Sequence, residues 1–261
     1  MREIHNILFD LDGTLVDSSG AIRASLAYAL ERGGLRLPDD HPVERLIGTP
    51  LLDIFRDEFG VTGAAAEQAI ADYRRHYDAE ARSGTRVYDQ VEDCLDALRG
   101  AGCTLVVATV KPSPIAAKVL SEMGLDRYFS GVAGSSMDHA RRDKADIIRH
   151  ALREYGLDAA HSVMVGDRAQ DIRGARSNRM YAVGVTYGFG PAEELVAAAP
   201  DHLRAAFGMV NVGRGLADVV QQGRPEKGHL VFQLAVDPGE QLFGGAVVER
   251  ELFDRLNGSQ Q

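Results

Sequence analysis

Five short apolar runs, each closed by a polar turn, constrain the fold more than any other feature of the chain. Ile7-Leu8-Phe9 ends in Asp10, and Cys103 to Val110, Gly131 to Gly134, Ser162 to Val165 and Tyr181 to Val185 have the same character. Continuous runs of this length are how strands buried on both faces of a parallel sheet read. Between them lie helical patterns: Val91 to Leu98, Ile115 to Met123 after the start signal of Pro112 and Pro114, Lys144 to Tyr155 and Asp171 to Asn178. Strands alternating with helices from residue 86 onward predict an α/β fold with a Rossmann-like, doubly wound parallel sheet core.

Residues 18–84 break that rhythm. Ala21 to Arg32, Val43 to Ile47, Leu51 to Phe59 and Ala64 to Ala81 read as helix after helix with no buried strand among them. An all-helical insert is the simplest account, linked to the sheet near Ser18–Gly20 and Arg82–Gly84, where small residues permit hinge motion. The organisation expected is therefore a core of 1–17 and 85–212, an inserted helical domain over 18–84, and a C-terminal extension over 213–261. In that extension Gly223-Arg224-Pro225-Glu226-Lys227-Gly228 reads as a linker. Leu230 to Val236 and Leu242 to Val248 flank Asp237-Pro238-Gly239-Glu240 as in a β-hairpin. Those runs are too apolar to stay solvated, so they are expected to pack on their own core or on a second copy, as a homodimer.

Composition narrows the partners. With 29 basic against 38 acidic residues the net charge is −9, and the basic clusters are as small as Arg74-Arg75. Such a chain repels polyanions at long range, which argues against a nucleic-acid polymer as partner. Cys94 and Cys103 have no CxxC spacing, so neither a zinc site nor a redox pair is indicated, and a reducing compartment fits. No stretch approaches the ~18 apolar residues of a membrane helix, and the N-terminus lacks a secretory signal's apolar region. The expectation is a cytoplasmic protein with no membrane partner.

The chemistry starts at Phe9-Asp10-Leu11-Asp12-Gly13-Thr14. At i and i+2 of an extended chain, Asp10 and Asp12 point to one side and Leu11 to the other. The carboxyl ends of the strands are where open α/β sheets bind ligands. Two close carboxylates repel unless a cation lies between them or one takes a proton. Both outcomes suit phosphoryl transfer, one Asp attacking phosphorus and the other protonating the leaving oxygen. Gly13 permits a sharp turn and would present N–H groups to an anion. Alone, this motif is more often a polar turn after a buried strand.

It does not stand alone. Val163-Met164-Val165-Gly166-Asp167 closes another run, with Asp171 on the following helix. Oxygen-only ligands of this kind suit a hard cation such as Mg²⁺, although Asp167 could instead simply cap that helix. Thr109, followed by Val110 and Lys111, ends a third run with a hydroxyl and N–H groups able to bind phosphate oxygens. In the basic stretch Arg141-Arg142-Asp143-Lys144, charge alone ranks nothing. Ile147 and Ile148 nevertheless put Lys144 on the helix face turned to the sheet, where it can pair with the acidic cluster and a phosphate. Arg141 and Arg142 precede the helix and are expected to face solvent.

FDLDGT (9–14), ATVKP (108–112), Lys144 and GDRAQD (166–171), in that order, resemble the four motifs of the haloacid dehalogenase-like hydrolase superfamily. The likeness runs over residues 4–205, to the branch with a helical cap between its first and second motifs. GSSMD (134–138) and YGFG (187–190) are similar to phosphoglycolate phosphatase-like members, some of which act as nucleotidases. The resemblance implies a Mg²⁺-dependent phosphatase acting on a small phosphorylated metabolite. Asp10 is then the nucleophile that forms an aspartyl-phosphate, and Asp12 the general acid and base. Asp10, the Asp12 backbone carbonyl and Asp167 hold the metal. Thr109 and Lys144 serve the phosphate, Gly13, Val110 and Lys111 lie against substrate, and Asp171 supports the metal waters or Lys144.

Two departures stand out. Val110 replaces a common Ser or Asn, and Tyr88-Asp89-Gln90 replaces a common Pro-Gly or Asp-Gly turn. Asp12 argues against a dehalogenase or a phosphonate hydrolase, which the resemblance would have lacking it. A sugar phosphomutase and a non-catalytic binding or regulatory module are the competing readings. Candidate substrate contacts in the cap are His41, Arg45, Thr49 and Arg56.

Overall fold

A computed structural model describes residues 4–136, 141–205, 240–243 and 246–249. In chain order the strands are β1 (Asn6–Phe9), β2 (Val16–Asp17), β3 (Arg86–Val87), β4 (Thr104–Pro112), β5 (Gly131–Ser135), β6 (Ser162–Gly166), β7 (Tyr181–Val185), β8 (His202–Arg204), β9 (Glu240–Phe243) and β10 (Ala246–Glu249). The helices are α1 (Ser19–Arg32), α2 (Leu51–Phe59), α3 (Gly63–Glu80), α4 (Val91–Gly100), α5 (Ser113–Glu122), α6 (Lys144–Glu154), α7 (Ala169–Ser177) and α8 (Ala192–Ala198).

Among the described residues the main sheet has the order β5-β4-β1-β6-β7-β8-β10-β9. β1 runs parallel to β4 on one side, Phe9 opposite Val107, and to β6 on the other, Phe9 opposite Val165. The apolar runs have no polar face because both sides are covered. Ile7, Phe9, Val107 and Val165 join one buried cluster, while Leu8, Val106 and Met164 pack on the opposite face with Ile147, Ile148 and Ile172 of α6 and α7. The α/β, doubly wound core is as the sequence predicts.

Between β2 and β3 the described chain is helical: α1, a 3-10 turn at Val43–Leu46, α2 and α3. α1 packs on α3, and Leu26, Phe55 and Tyr77 share the apolar cluster of Phe9 and Leu15. The two crossings into this insert are tied together. β2 and β3 pair antiparallel, Val16 opposite Val87, and the Ala21 N–H donates to the Gly84 carbonyl at 2.9 Å. A Cβ on Gly84 would lie 2.4 Å from the Ala21 nitrogen, so the crossing requires glycine. Just beyond, Gln90 takes φ 65°, the left-handed turn that a glycine would adopt more easily.

The tail differs from its expected pairing. Leu242 to Val248, read as one strand, is divided between β9 and β10, which pair antiparallel with Phe243 opposite Ala246. Glu240, assigned to the turn, begins β9. β10 in turn lies parallel to β8, so the hairpin extends the core sheet. Leu230 to Val236 and Asp237-Pro238-Gly239 lie outside the described residues. No described helix is long and apolar enough to cross a membrane.

Candidate active site

Parallel pairing brings the ends of β1, β4 and β6 to one edge of the sheet, and the motif residues follow those ends. The Asp10 N–H donates to the Val165 carbonyl at 2.9 Å, so the β1–β6 ladder itself fixes the first carboxylate. Asp10 is buried, and the Lys144 ammonium donates to its Oδ1 at 2.7 Å. The same Nζ lies 2.7 Å from Asp171 Oδ1. Lys144 is 3 % exposed because it sits one turn before Ile147 and Ile148 on the buried face of α6. Burial opposes its charge, but Asp10 and Asp171 outweigh that and hold the ammonium above its ordinary range. Arg141 does not face solvent as expected. It is half-buried, and its Nε donates to the Gly134 carbonyl at 3.0 Å. Arg142 is exposed.

Asp167 is fully buried, with the Thr14 hydroxyl 3.3 Å from Oδ1 and the N–H groups of Phe189 and Gly190 at 2.8 and 3.3 Å from Oδ2. Close approach demands glycine around it: a Cβ on Gly13 would lie 2.2 Å from Asp167 Oδ2, and one on Gly190 would lie 1.8 Å from the Asp167 carbonyl oxygen. Gly13 thus has a different job from the one expected. At φ +88° its N–H donates to the Val16 carbonyl at 2.9 Å, leaving no amide for substrate.

Oxygens of Asp10, Asp167 and Asp171 lie within 4.8 Å of one another, all buried. Burial first, then the neighbouring carboxylates, pushes Asp167 well up from the usual range. Burial pushes Asp171 up as well, against the pull of Lys144. Three converging carboxylates with one ammonium leave uncompensated negative charge, and hard oxygen donors fit a divalent cation such as Mg²⁺ at this place. The Asp12 side chain is turned elsewhere. It accepts the Ser18 hydroxyl at 2.6 Å and the Lys111 ammonium at 2.8 and 2.5 Å, so only its backbone carbonyl is left for a metal.

Thr109 and Lys111 are drawn together by an irregularity in β4. Its register against β5 shifts between Ala108 and Pro112, and the Lys111 N–H donates to Thr109 Oγ1 at 3.2 Å. The expected free amide at Lys111 is therefore occupied. Its side chain pairs with Asp12, and its ammonium lies 4.9 Å from the centre of the Tyr77 ring. Burial works against that charge, but Asp12, then Tyr77 and Tyr73, hold it raised.

A family model for haloacid dehalogenase-like hydrolases matches residues 7–185. The chain belongs to that family. Among its relatives, a 5'-nucleotidase of Pseudomonas aeruginosa is 42 % identical over 197 residues, 76 % of this chain and 89 % of the relative. The tyrosine-protein kinase PtkA of Mycobacterium tuberculosis is 35 % identical, over 78 % of this chain and 72 % of its own. A phosphoglycolate phosphatase of Agrobacterium fabrum is 33 % identical, over 70 % and 80 %. The crystal structure of a predicted phosphatase from Clostridium acetobutylicum superposes with TM-score 0.75 at 32 % identity, covering 84 % of this chain and 99 % of that one.

In this haloacid dehalogenase-like hydrolase a cavity of about 650 Å³ lies between the motif residues and the helical insert. Asp12, Val110, Lys111 and Lys144 line one side, and Thr49, Ile54, Tyr73, Arg74 and Tyr77 the other. The two sides are bridged at its wall, where Arg168 Nη1 donates to the carbonyl of the lining residue Ile47 at 2.9 Å. Of the four cap residues singled out in the sequence, only Thr49 lines the cavity. His41 packs against Phe59, Arg45 is exposed away from it, and Arg56 is paired with Asp53 and Asp57. The sequence reading missed Tyr73, Arg74 and Tyr77. Their signal was the Tyr pair at i and i+4 on α3, whose rings stack 5.8 Å apart.

Proposed function

We propose that this chain is a Mg²⁺-dependent phosphatase that hydrolyses a small phosphomonoester, phosphoglycolate-like or a nucleoside monophosphate, through an aspartyl-phosphate on Asp10. The observation that carries this reading is the Asp10 carboxylate, buried at the end of β1 with Lys144 on one oxygen and Asp167 and Asp171 beside it. Asp10, Asp167 and the Asp12 backbone carbonyl would hold the cation, which offsets the charge of the transferring phosphoryl group.

The oxygen of Asp10 not bonded to Lys144 attacks phosphorus, and the bond to the leaving oxygen breaks. Asp12 gives that oxygen its proton. Lys111 also lines the cavity, and drawing its ammonium toward the phosphate frees Asp12 to carry that proton. In the second half Asp12 takes a proton from water, whose oxygen attacks the aspartyl-phosphate, releasing inorganic phosphate and restoring Asp10. Lys144 stays against Asp10 throughout, where a fixed cation stabilises the charge that builds on the phosphoryl oxygens.

A phosphate-release assay over a panel of phosphomonoesters tests the reading. Wild-type protein releases phosphate in Mg²⁺ and stops in EDTA, while Asp10→Asn loses about 10³-fold or more in kcat with its fold intact. Turnover that survives in Asp10→Asn, or in metal-free buffer, sinks the assignment.

A further inference from the structure

The Arg74 side chain stands in the cavity wall on α3, its Nε buried and without an acceptor among the described residues. Arg74 as a whole is half-buried, but buried donors such as this Nε are almost always paired. Several other charges nearby do have partners. Lys111 pairs with Asp12, Lys144 with Asp10 and Asp171, and Asp53 with Arg56, while the Asp143 carboxylate accepts the Ala145 N–H. Arg142 and Arg173 line the same cavity, and neither forms an ion pair among the described residues. Arg142 and Arg173 are exposed, yet in a chain of net charge −9 the lining carries five basic side chains, Arg74, Lys111, Arg142, Lys144 and Arg173, against the acidic Asp12, Asp53 and Asp143.

The reacting phosphate does not need them, since Lys144 and the metal site already answer its charge. A volume of about 650 Å³ also exceeds what one phosphate group fills. We propose that the cavity takes phosphomonoesters whose leaving group carries a second anionic group, a carboxylate or another phosphate. Arg74 is the specificity-determining residue that receives it. The planar fork of a guanidinium matches both groups with paired hydrogen bonds, and its place on the insert puts it in the same cavity wall as Asp12 and Lys144. This inference rests on the phosphatase reading above and names the substrate class of that same site.

Matched pairs of phosphomonoesters test it. Glycerol 3-phosphate and 3-phosphoglycerate differ in a carboxylate, and adenosine 5'-monophosphate and adenosine 3',5'-bisphosphate in a second phosphate. For at least one pair, wild-type kcat/KM is higher for the member with the extra anion by about tenfold or more, and the pair that responds tells carboxylate from phosphate. Arg74→Ala collapses that ratio through KM, Arg74→Lys restores part of it, and Arg45→Ala, exposed and off the cavity, keeps it. Arg74→Gln gives the same readout should Arg74→Ala melt early. The proposal is overturned if wild type hydrolyses both members of each pair alike, or if Arg74→Ala lowers both alike; phosphate release itself then leaves the phosphatase reading standing. If none of the four esters nor p-nitrophenyl phosphate is hydrolysed, both readings fall together.

Discussion

The sheet side of the cavity and its helical side treat charge in opposite ways. On the sheet side Asp10, Asp171 and Lys144 form a buried triad, and Asp12 and Lys111 a buried pair, each charge held by its opposite within 2.5 to 2.8 Å. On the helical side the wall is two tyrosine rings, aliphatic residues, Thr49, Asp53 paired with Arg56, and an arginine whose Nε lacks an acceptor among the described residues. A group that must act on the same atoms in every turnover is fixed before substrate arrives. A group that selects substrates keeps its bonding capacity open until the right one comes. The difference teaches where to look: rate on the sheet side, selection on the helical one.

Of the substitutions that probe this contrast, Lys144→Ala should show the largest effect. Losing a preorganised ammonium from the phosphate site should cost about 2–4 kcal/mol of transition-state stabilisation, about 30- to 1000-fold in kcat/KM. Arg149→Ala, exposed on the same helix and paired only with Asp146, should stay within about twofold. Steady-state kinetics of the two variants decide whether the buried side carries the rate. Equal losses would erase the distinction.

Gly190→Ala comes next, because the added methyl meets the Asp167 carbonyl oxygen at 1.8 Å and something must shift. Overpacking of this kind costs about 1–3 kcal/mol, or about 3–10 °C in Tm for a chain of this size. Gly100→Ala, with nothing within 4 Å of its new methyl, should keep its Tm or raise it. A melting curve for each is enough, and an unmoved Tm in Gly190→Ala would show that the loop against Asp167 tolerates side chains after all.

The smallest effect sharpens the comparison from the helical side. Tyr77→Leu removes the ring over Lys111 while filling its place, and the lost cation–π contact should change kcat/KM by about two- to fivefold. A loss near that of Lys144→Ala would mean that the helical wall takes part in the chemistry, and the division of labour would be wrong.

The legibility of the sequence follows the same line. Lys144 could be read because the helical period fixes its face, a local rule acting over a few residues. Asp10 could be read as the polar end of an apolar run, but alternation did not place Asp12, because β1 stops at Phe9 and the Asp12 side chain turns to Ser18 and Lys111. The role of Gly13 was misread because its N–H finds Val16 and its missing Cβ makes room for Asp167, the latter a contact across the fold. Lys111 could not be assigned to Asp12 without the shifted register of β4. Arg74 looked like half of a small surface basic cluster, since nothing in residues 63–80 says which face of α3 meets a cavity. In the tail, the pairing of β9 with β10 had a signal that the reading passed over, the Gly244-Gly245 pair that interrupts Leu242 to Val248.

β1 also carries a consequence for the birth of the protein. Its neighbours arrive late: the Asn6 side chain bonds the Ser162 hydroxyl across 156 residues of chain, and β4 must be made before that partner strand exists. During synthesis the first apolar strand therefore waits, unpaired on at least one edge, while most of the catalytic half is still being translated. Contacts so distant in sequence make slow folding, and a waiting apolar edge is a template for the wrong partner. A nascent chain that stops short of residue 166 has Asp10 and Asp12 but lacks the strand that aligns them. Asp10 is thus without its aligning strand until residue 166 has been made, and β1 is the strand left waiting for it.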